Sequence, residues 1–152
     1  MIDQTDDTTR RIVVGVDGSH GSKVALQWAM VQAHLTDATV EAVATWQEPA
    51  LYGYGYGWVP ATYEGESIAT ITAKVLDATI AEVSATMERP ATVLPRVVEG
   101  HAAQVLPVAA TGAQLLVVGS RGHGTFAGIM LGSVSQHCVQ HAPCPVVVVP
   151  QS

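Results

Sequence analysis

Short hydrophobic runs alternate with longer stretches of mixed apolar and polar residues along almost the whole chain. The first run, residues 11–17, is rich in β-branched side chains and shows no polar alternation, which is typical of a strand buried on both faces. Four further runs of strand length follow it. The predicted strands are residues 11–17, 39–46, 91–98, 115–119 and 146–149.

The stretches between these runs have helical spacing. In the first, large apolar residues recur every three or four positions beside several alanines, which predicts an amphipathic helix. Its apolar stripe consists of Val24, Trp28, Val31 and Leu35. A long second helix is predicted around residues 68–83, and a last one around residues 134–141. A short third helix ends near Gly112, and Pro107 inside it predicts either a kink or a late start.

This order of elements predicts an α/β fold. Strands that alternate with helices form a doubly wound, Rossmann-like sheet of five parallel strands with helices on both faces. Pro95 in the third strand favours an edge position. Ligands of such sheets bind beyond the carboxyl ends of the strands, and Asp17, Thr45 and Gly119 lie at those ends.

The length and composition indicate one domain. The chain has 152 residues, of which 48% are hydrophobic and 13% are charged, enough for a substantial core. Residues 1–10 are predicted to be a disordered tail, and residues 11–150 a single domain. Tyrosine and glycine alternate in residues 52–58, which indicates a mobile loop, although an aromatic lid or a partner surface is the alternative.

Charge and cysteine content narrow the possible settings. A net charge of −6 argues against nucleic-acid binding and against anionic membranes, and no apolar segment is long enough to span a bilayer. Cys138 and Cys144 do not make a disulfide framework, so a reducing compartment is expected. The acidic start of the chain is unlike a secretory signal. The predicted location is the cytoplasm.

One segment carries the main functional indication. The apolar run 115–119 ends in glycines with the spacing Gly119-x2-Gly122-x9-Gly132-Ser133, and a predicted helix follows. Glycines allow close approach and positive φ, while the N–H groups of a helix N-terminus attract phosphate oxygens. The hydroxyls of Ser133 and Ser135 would either cap this helix or donate to an anion. A phosphate-binding site is therefore predicted here.

Competing motifs are weaker. Glycines within residues 122–128 resemble a dinucleotide fingerprint with one residue too many, and residues 18–23 resemble a P-loop whose first glycine is misplaced. Two histidines and two cysteines cluster near the end of the chain, but a helix end and Pro143 separate the cysteines, which favours packing over metal binding. No metal site and no catalytic residue is predicted.

Four segments together resemble the universal stress protein family, specifically its ATP-binding branch, over residues 11–149. They are residues 12–19, 116–122, 132–135 and 142–149. The resemblance implies the adenine nucleotide alpha-hydrolase-like form of the doubly wound fold. In this family the glycine spacing described above accompanies ATP binding.

The resemblance also implies individual roles. The adenine and ribose would be framed by Gly15, Asp17 and Thr45. The loop beneath the ribose and phosphates would contain Gly119, Arg121, Gly122 and His123. The phosphates would be closed in by Gly132, Ser133, Val134 and Ser135. For Asp17, capping of the turn before the first helix is the alternative.

As a whole, the resemblance implies a regulatory stress-response module that binds ATP together with Mg²⁺. It also implies a homodimer that pairs through Val146–Val149. A signalling partner is expected, but the sequence does not identify it. Catalysis is not predicted, because the motif offers N–H groups, hydroxyls and Arg121 but no evident catalytic base. A slow ATPase or a nucleotide alpha-hydrolase relative is one alternative. A scaffold that binds cyclic AMP or no nucleotide is the other.

Overall fold

The computed structural model describes residues 10–48, 67–122 and 131–151. The predicted tail, apart from Arg10, and the loop at residues 52–58 lie outside these ranges. Within them, strands and helices alternate as the hydrophobic pattern predicts. The elements are β1 Arg11–Gly15, α1 His20–Thr36, β2 Thr39–Trp46, α2 Ile68–Ala85, β3 Val93–Glu99, α3 Ala102–Ala109, β4 Leu115–Gly119, α4 Ser133–His141 and β5 Val146–Val149.

The five strands form one parallel sheet in the order β3-β2-β1-β4-β5, which confirms the predicted fold. Ile12 on β1 pairs with Val40 on β2 and with Leu115 on β4. The chain moves from β1 outward to β3 and then crosses to β4 on the other side, so the strand order switches between β1 and β4. The strand that contains Pro95 lies at an edge, as predicted.

Each face of the sheet has its own hydrophobic core. On one face, Leu26 of α1 and Leu76 of α2 pack against Ile12 and its neighbours. On the other, Leu106 of α3 and Cys138 of α4 pack with residues such as Val13. Adjacent residues of β1 point to opposite faces, so a continuous apolar run can supply both cores. Helices therefore cover both faces, as predicted.

The apolar stripe predicted for α1 is only partly the face that the helix buries. Val31 and Leu35 are exposed, at 47% and 74% of their full surface, although Val24 and Trp28 do pack at the edge of the core. The fully buried face instead consists of small residues with two long ones among them. Its members are Gly21, Ser22, Ala25, Leu26, Ala29, Met30 and Ala33. Small side chains bring the helix axis close to the sheet, and that selects the alanine face over the bulkier stripe.

The position of Pro107 also corrects an expectation. The helix α3 begins at Ala102, so it does not start late. Pro107 is buried inside the helix, and the backbone N–H of Ala110 still donates to the carbonyl of Leu106 at 3.0 Å. The proline removes one N–H donor from the helix, and burial of its ring in the second core accompanies that loss.

The longest helix, α2, is amphipathic. Ser67 caps it by accepting a hydrogen bond from the backbone N–H of Thr70, and the side chains of Leu76, Thr79 and Val83 are buried while Val75 is exposed. Among the described residues, no helix combines the length and the apolar character needed to cross a membrane.

Candidate functional site

A cleft lies at the carboxyl ends of β1, β2 and β4, beside the N-termini of α3 and α4, where the strand order switches. About 680 Å³ of space lies between its walls, a volume that includes solvent at its open side. Its walls include every predicted binding residue that the structure describes. These are Gly15, Asp17, Thr45, Gly119, Arg121, Gly122, Gly132, Ser133, Val134 and Ser135. His123 lies outside the described residues.

The cleft is also lined by residues that were not predicted to bind a ligand. Some lie in the strands or at their ends, close to predicted residues, and others lie at the start of α1 or within α3. They are Val16, Ser19, Ser22, Val43, Ala102, Leu106 and Val118. Leu106 closes the cleft against β1, because a Cβ atom on Gly15 would stand 2.8 Å from its Cδ1. The position of α3 directly after a strand was the available signal for Ala102 and Leu106.

The turn between β1 and α1 is organised by Asp17 and Ser19. Asp17 Oδ1 accepts hydrogen bonds from the backbone N–H of Ser19 at 3.0 Å and from its hydroxyl at 2.6 Å. Ser19 is the N-cap of α1, and its Oγ accepts from the backbone N–H of Ser22 at 3.2 Å. Asp17 therefore stabilises the turn and lines the cleft at the same time.

Two glycines of the motif allow close backbone approach. A Cβ atom on Gly119 would stand 2.9 Å from the carbonyl oxygen of Gly21, and one on Gly122 would stand 2.9 Å from Oδ2 of Asp17. Neither residue has a φ in the left-handed region. Of the two roles expected for these glycines, the structure therefore uses proximity and not positive φ.

The N-terminus of α4 opens without a side-chain cap. Its N-cap residue is Gly132, and the first helical bond runs from the N–H of Gln136 to the carbonyl of Gly132 at 3.0 Å. Ser133 is exposed and Val134 is half-buried, and both line the cleft. The first-turn N–H groups and the helix dipole give this end of the cleft a positive potential.

Ser135 is buried, and its hydroxyl lies near two backbone carbonyls. It donates to the carbonyl oxygen of Ser120 at 3.1 Å and to that of Gly132 at 3.0 Å. The backbone N–H of Gly132 also donates to Ser120, at 2.7 Å. The Ser120 carbonyl thus joins the end of β4 to the start of α4. The hydroxyl of Ser135 therefore does not cap the helix, and its backbone N–H is the group left to meet an anion.

The charges in the cleft are few and well defined. Among the described lining residues, Arg121 carries the only positive side chain and Asp17 the only carboxylate. The Nη2 of Arg121 donates to Oε1 of Gln151 at 2.9 Å. Anionic groups of a ligand are favoured beside Arg121 and the α4 terminus, while hydroxyl donors are favoured beside Asp17.

The two histidines and the first cysteine of this C-terminal cluster make packing contacts within α4 and with the core. The rings of His137 and His141 stack with centroids 4.1 Å apart, and Cys138 is buried in the core. Nowhere in the part of the chain that the structure describes do three His, Cys, Asp or Glu side chains converge as metal ligands would.

The fold places this chain among doubly wound α/β proteins, with a cleft at the strand switch. A model of the universal stress protein family matches residues 8–150, and the chain belongs to that family. Universal stress protein Rv2623 of Mycobacterium tuberculosis (strain ATCC 25618 / H37Rv) is 33% identical over 145 residues, which are 91% of this chain and 46% of the relative. A universal stress protein of Mycolicibacterium smegmatis is 32% identical over 144 residues, 94% of this chain and 46% of the relative. The chain thus spans about half the length of the curated relatives it matches.

Solved structures share the fold. A universal stress protein solved in complex with cAMP is 25% identical, with a TM-score of 0.64, and the match covers 93% of this chain and 97% of that one. The protein UspA from Lactobacillus plantarum is 22% identical, with a TM-score of 0.63 over 91% and 96% of the two chains. A universal stress protein from Archaeoglobus fulgidus, solved in complex with dAMP, is 20% identical, with a TM-score of 0.61 over 91% and 95%.

Proposed function

We propose that this chain binds an adenine nucleotide in the cleft at the carboxyl ends of β1, β2 and β4, and that it acts as a regulatory module of the stress response. One observation carries the proposal. The cleft joins Asp17 at one strand end to Arg121 and the uncapped N-terminus of α4 at the other. Separated hydroxyl-binding and phosphate-binding ends are what a nucleotide requires.

The charges favour one orientation of the nucleotide. The phosphates lie towards Arg121 and the first-turn N–H groups of Ser133, Val134 and Ser135. The carboxylate of Asp17 would repel phosphate but accept hydrogen bonds from ribose hydroxyls. Apolar walls such as Val43 and Leu106 suit the adenine ring.

ATP with Mg²⁺ is the proposed ligand. Mg²⁺ on a nucleotide is held largely by phosphate oxygens and water, a mode that needs no cluster of protein ligands. Cyclic AMP is the second candidate, since a universal stress protein 25% identical to this chain was solved in complex with it. The lining of the cleft by both Arg121 and the N-terminus of α4 favours ATP, because three phosphates make fuller use of these two groups than one does.

A regulatory role fits the lining better than turnover. No described residue of the cleft is a histidine, lysine, glutamate or cysteine, and Asp17 Oδ1 already accepts two hydrogen bonds from Ser19. Phosphoryl transfer to water needs a group that orients the nucleophile. Slow hydrolysis is therefore an alternative to be measured and not the proposed activity.

We propose a homodimer through β5, with a signalling partner still to be identified and with the cytoplasm as the place of action. Val146–Val149 lies at one edge of the described sheet, where it pairs with β4 on one side. A strand edge offers backbone groups to a second chain. Sedimentation equilibrium at micromolar concentration is expected to give twice the chain mass, and a monomer throughout would reject this assembly.

Two measurements test which nucleotide the cleft binds. One is calorimetric titration of the purified chain with ATP–Mg²⁺, cyclic AMP and adenosine. The other is mass spectrometry of small molecules released on denaturation. Micromolar ATP binding is expected. Gly122→Val should abolish it, because a Cβ atom there already meets Oδ2 of Asp17 at 2.9 Å. Gln140→Ala, exposed on α4 and outside the cleft, is the matched control and should bind normally. No heat with any nucleotide, from protein with a cooperative unfolding transition, would overturn the proposal.

A further inference from the structure

Gln151, two residues after the end of β5, contacts Arg121, which carries the only positive side chain among the described residues of the cleft. Gln151 accepts a hydrogen bond from Nη2 of Arg121 at 2.9 Å, across 30 residues of sequence. Val149, the last residue of β5, accepts another from the backbone N–H of Ser120 at 2.9 Å. The end of β5 and the residues after it therefore meet both the backbone and a side chain of the loop that follows β4.

Gln151 is itself held in place. Its Cγ and Nε2 both lie 3.4 Å from where a Cβ atom on Gly21 would stand, so its side chain lies over the first turn of α1. The carbonyl oxygen of Arg121 lies 2.7 Å from the same point. The absence of a side chain at Gly21 thus makes room for Arg121 and Gln151 together. Gln151 is half-buried, as is Arg121.

We infer that Gln151 is a positioning residue that orients the guanidinium of Arg121 towards the anionic part of the ligand. The inference rests on the proposed nucleotide function and names a residue that this function did not include. A long arginine side chain loses rotamer entropy when it is fixed, and a neutral acceptor fixes it without cancelling its charge. A carboxylate at the same place would neutralise the cation. A glutamine amide therefore suits an arginine whose charge is needed by a phosphate.

The inference predicts that Gln151 affects phosphate binding and leaves adenosine binding unchanged. Calorimetry gives the ratio of the affinities for ATP and adenosine, and this ratio isolates the contribution of the phosphates. Gln151→Leu keeps apolar side-chain atoms over Gly21, one atom shorter than glutamine, but removes the acceptor. We expect this variant to lower the ratio by about 3–10-fold, the usual net contribution of one half-buried hydrogen bond. Gln151→Glu should lower it further, with the difference shrinking at high salt.

A double-mutant cycle separates positioning from a general structural role. In an Arg121→Ala background, Gln151→Leu should leave the ratio unchanged, because the group that it orients is gone. Gln140→Ala, exposed on α4, is the control and should leave the ratio unchanged in either background. Two outcomes would overturn the inference alone, provided that the wild type binds ATP. One is an ATP/adenosine affinity ratio that Gln151→Leu does not change. The other is a ratio that Gln151→Leu lowers equally with and without Arg121. No nucleotide binding by the wild type would overturn the proposed function, and the inference with it.

Discussion

Gly119 at the end of β4 packs backbone to backbone against Gly21 in the first turn of α1. A Cβ atom on Gly119 would stand 2.9 Å from the carbonyl oxygen of Gly21 and 3.0 Å from its carbonyl carbon. In the reverse direction, a Cβ atom on Gly21 would stand 2.7 Å from the carbonyl oxygen of Arg121. The β4 loop and α1 can approach this closely only because both positions lack a side chain.

Gly119→Ala is therefore expected to destabilise the fold by about 1–3 kcal/mol, because the added methyl group meets backbone that cannot move independently of the sheet. Urea denaturation monitored by tryptophan fluorescence measures the change. Gly112→Ala is the comparison, since nothing lies within 4 Å of its Cβ position and only its φ of +80° opposes the substitution. That variant should cost about 1 kcal/mol and leave nucleotide affinity unchanged. Wild-type stability in Gly119→Ala would contradict the packing described.

Ser133 and Ser135 are expected to respond differently to the loss of their hydroxyls. Ser135→Ala removes a buried donor to the carbonyls of Ser120 and Gly132 and should cost about 1–2 kcal/mol of unfolding free energy. Ser133→Ala should change stability by less than about 0.5 kcal/mol, because its side chain is exposed. If the cleft binds phosphates, Ser133→Ala should weaken ATP more than adenosine. Equal stability losses in the two variants would refute this division of roles.

The strands of the sheet could be predicted from the sequence because they are continuous apolar runs. β2 and β4 begin and end at the predicted residues, since a buried β-branched run bounded by turn residues has few other conformations open to it. The face of α1 was less readable. Spacing alone assigns Leu35 to the core, yet close approach to the sheet buries Ala29 and Ala33 while Leu35 remains exposed.

The same contrast holds in the cleft. Residues at strand ends were predictable, because the parallel fold brings the carboxyl ends of its strands to one edge. For Leu106 the only signal was the position of α3 directly after a strand, and its contact with Gly15 was not predictable. Gln151 was not predictable, because it reaches Arg121 of the cleft through a side-chain hydrogen bond between distant segments. The hydroxyl of Ser135 was assigned to a cap or an anion, whereas burial directs it to the carbonyl of Ser120. Local sequence does not encode which backbone carbonyls a buried hydroxyl meets.

Arg11 is predicted to be the most costly surface arginine to replace. It donates to the carbonyls of Ala109 at 3.0 Å and Thr111 at 2.7 Å, and it pairs with Glu41 at 2.8 Å. Arg11→Met should lose about 1–3 kcal/mol, since it removes the partner of these carbonyls at the end of α3. Arg96→Met is the matched control, because Arg96 is half-exposed and 3.5 Å from the same carboxylate, and it should cost less than about 0.5 kcal/mol. Thermal unfolding of both variants measures the two stability losses. Equal losses would rule out the anchoring role of Arg11.

Cys138 should make the stability of the fold sensitive to alkaline pH. Burial raises the pKa of its thiol from 9.0 to about 11, so the folded state holds the protonated form more strongly than the unfolded chain does. This contribution is complete below the unfolded pKa of 9.0 and is lost as the pH rises through the folded value of about 11. Urea denaturation at several pH values measures this effect. The unfolding free energy should fall less between neutral and alkaline pH in Cys138→Ala than in the wild type. At neutral pH the variant should be the less stable of the two, because the substitution leaves a cavity. Burial also raises the pKa of the Cys144 thiol, partly offset by the charge of Arg11, and the comparison leaves that contribution unchanged in both proteins. Parallel pH profiles for the wild type and Cys138→Ala would show that the thiol is not held protonated by the fold.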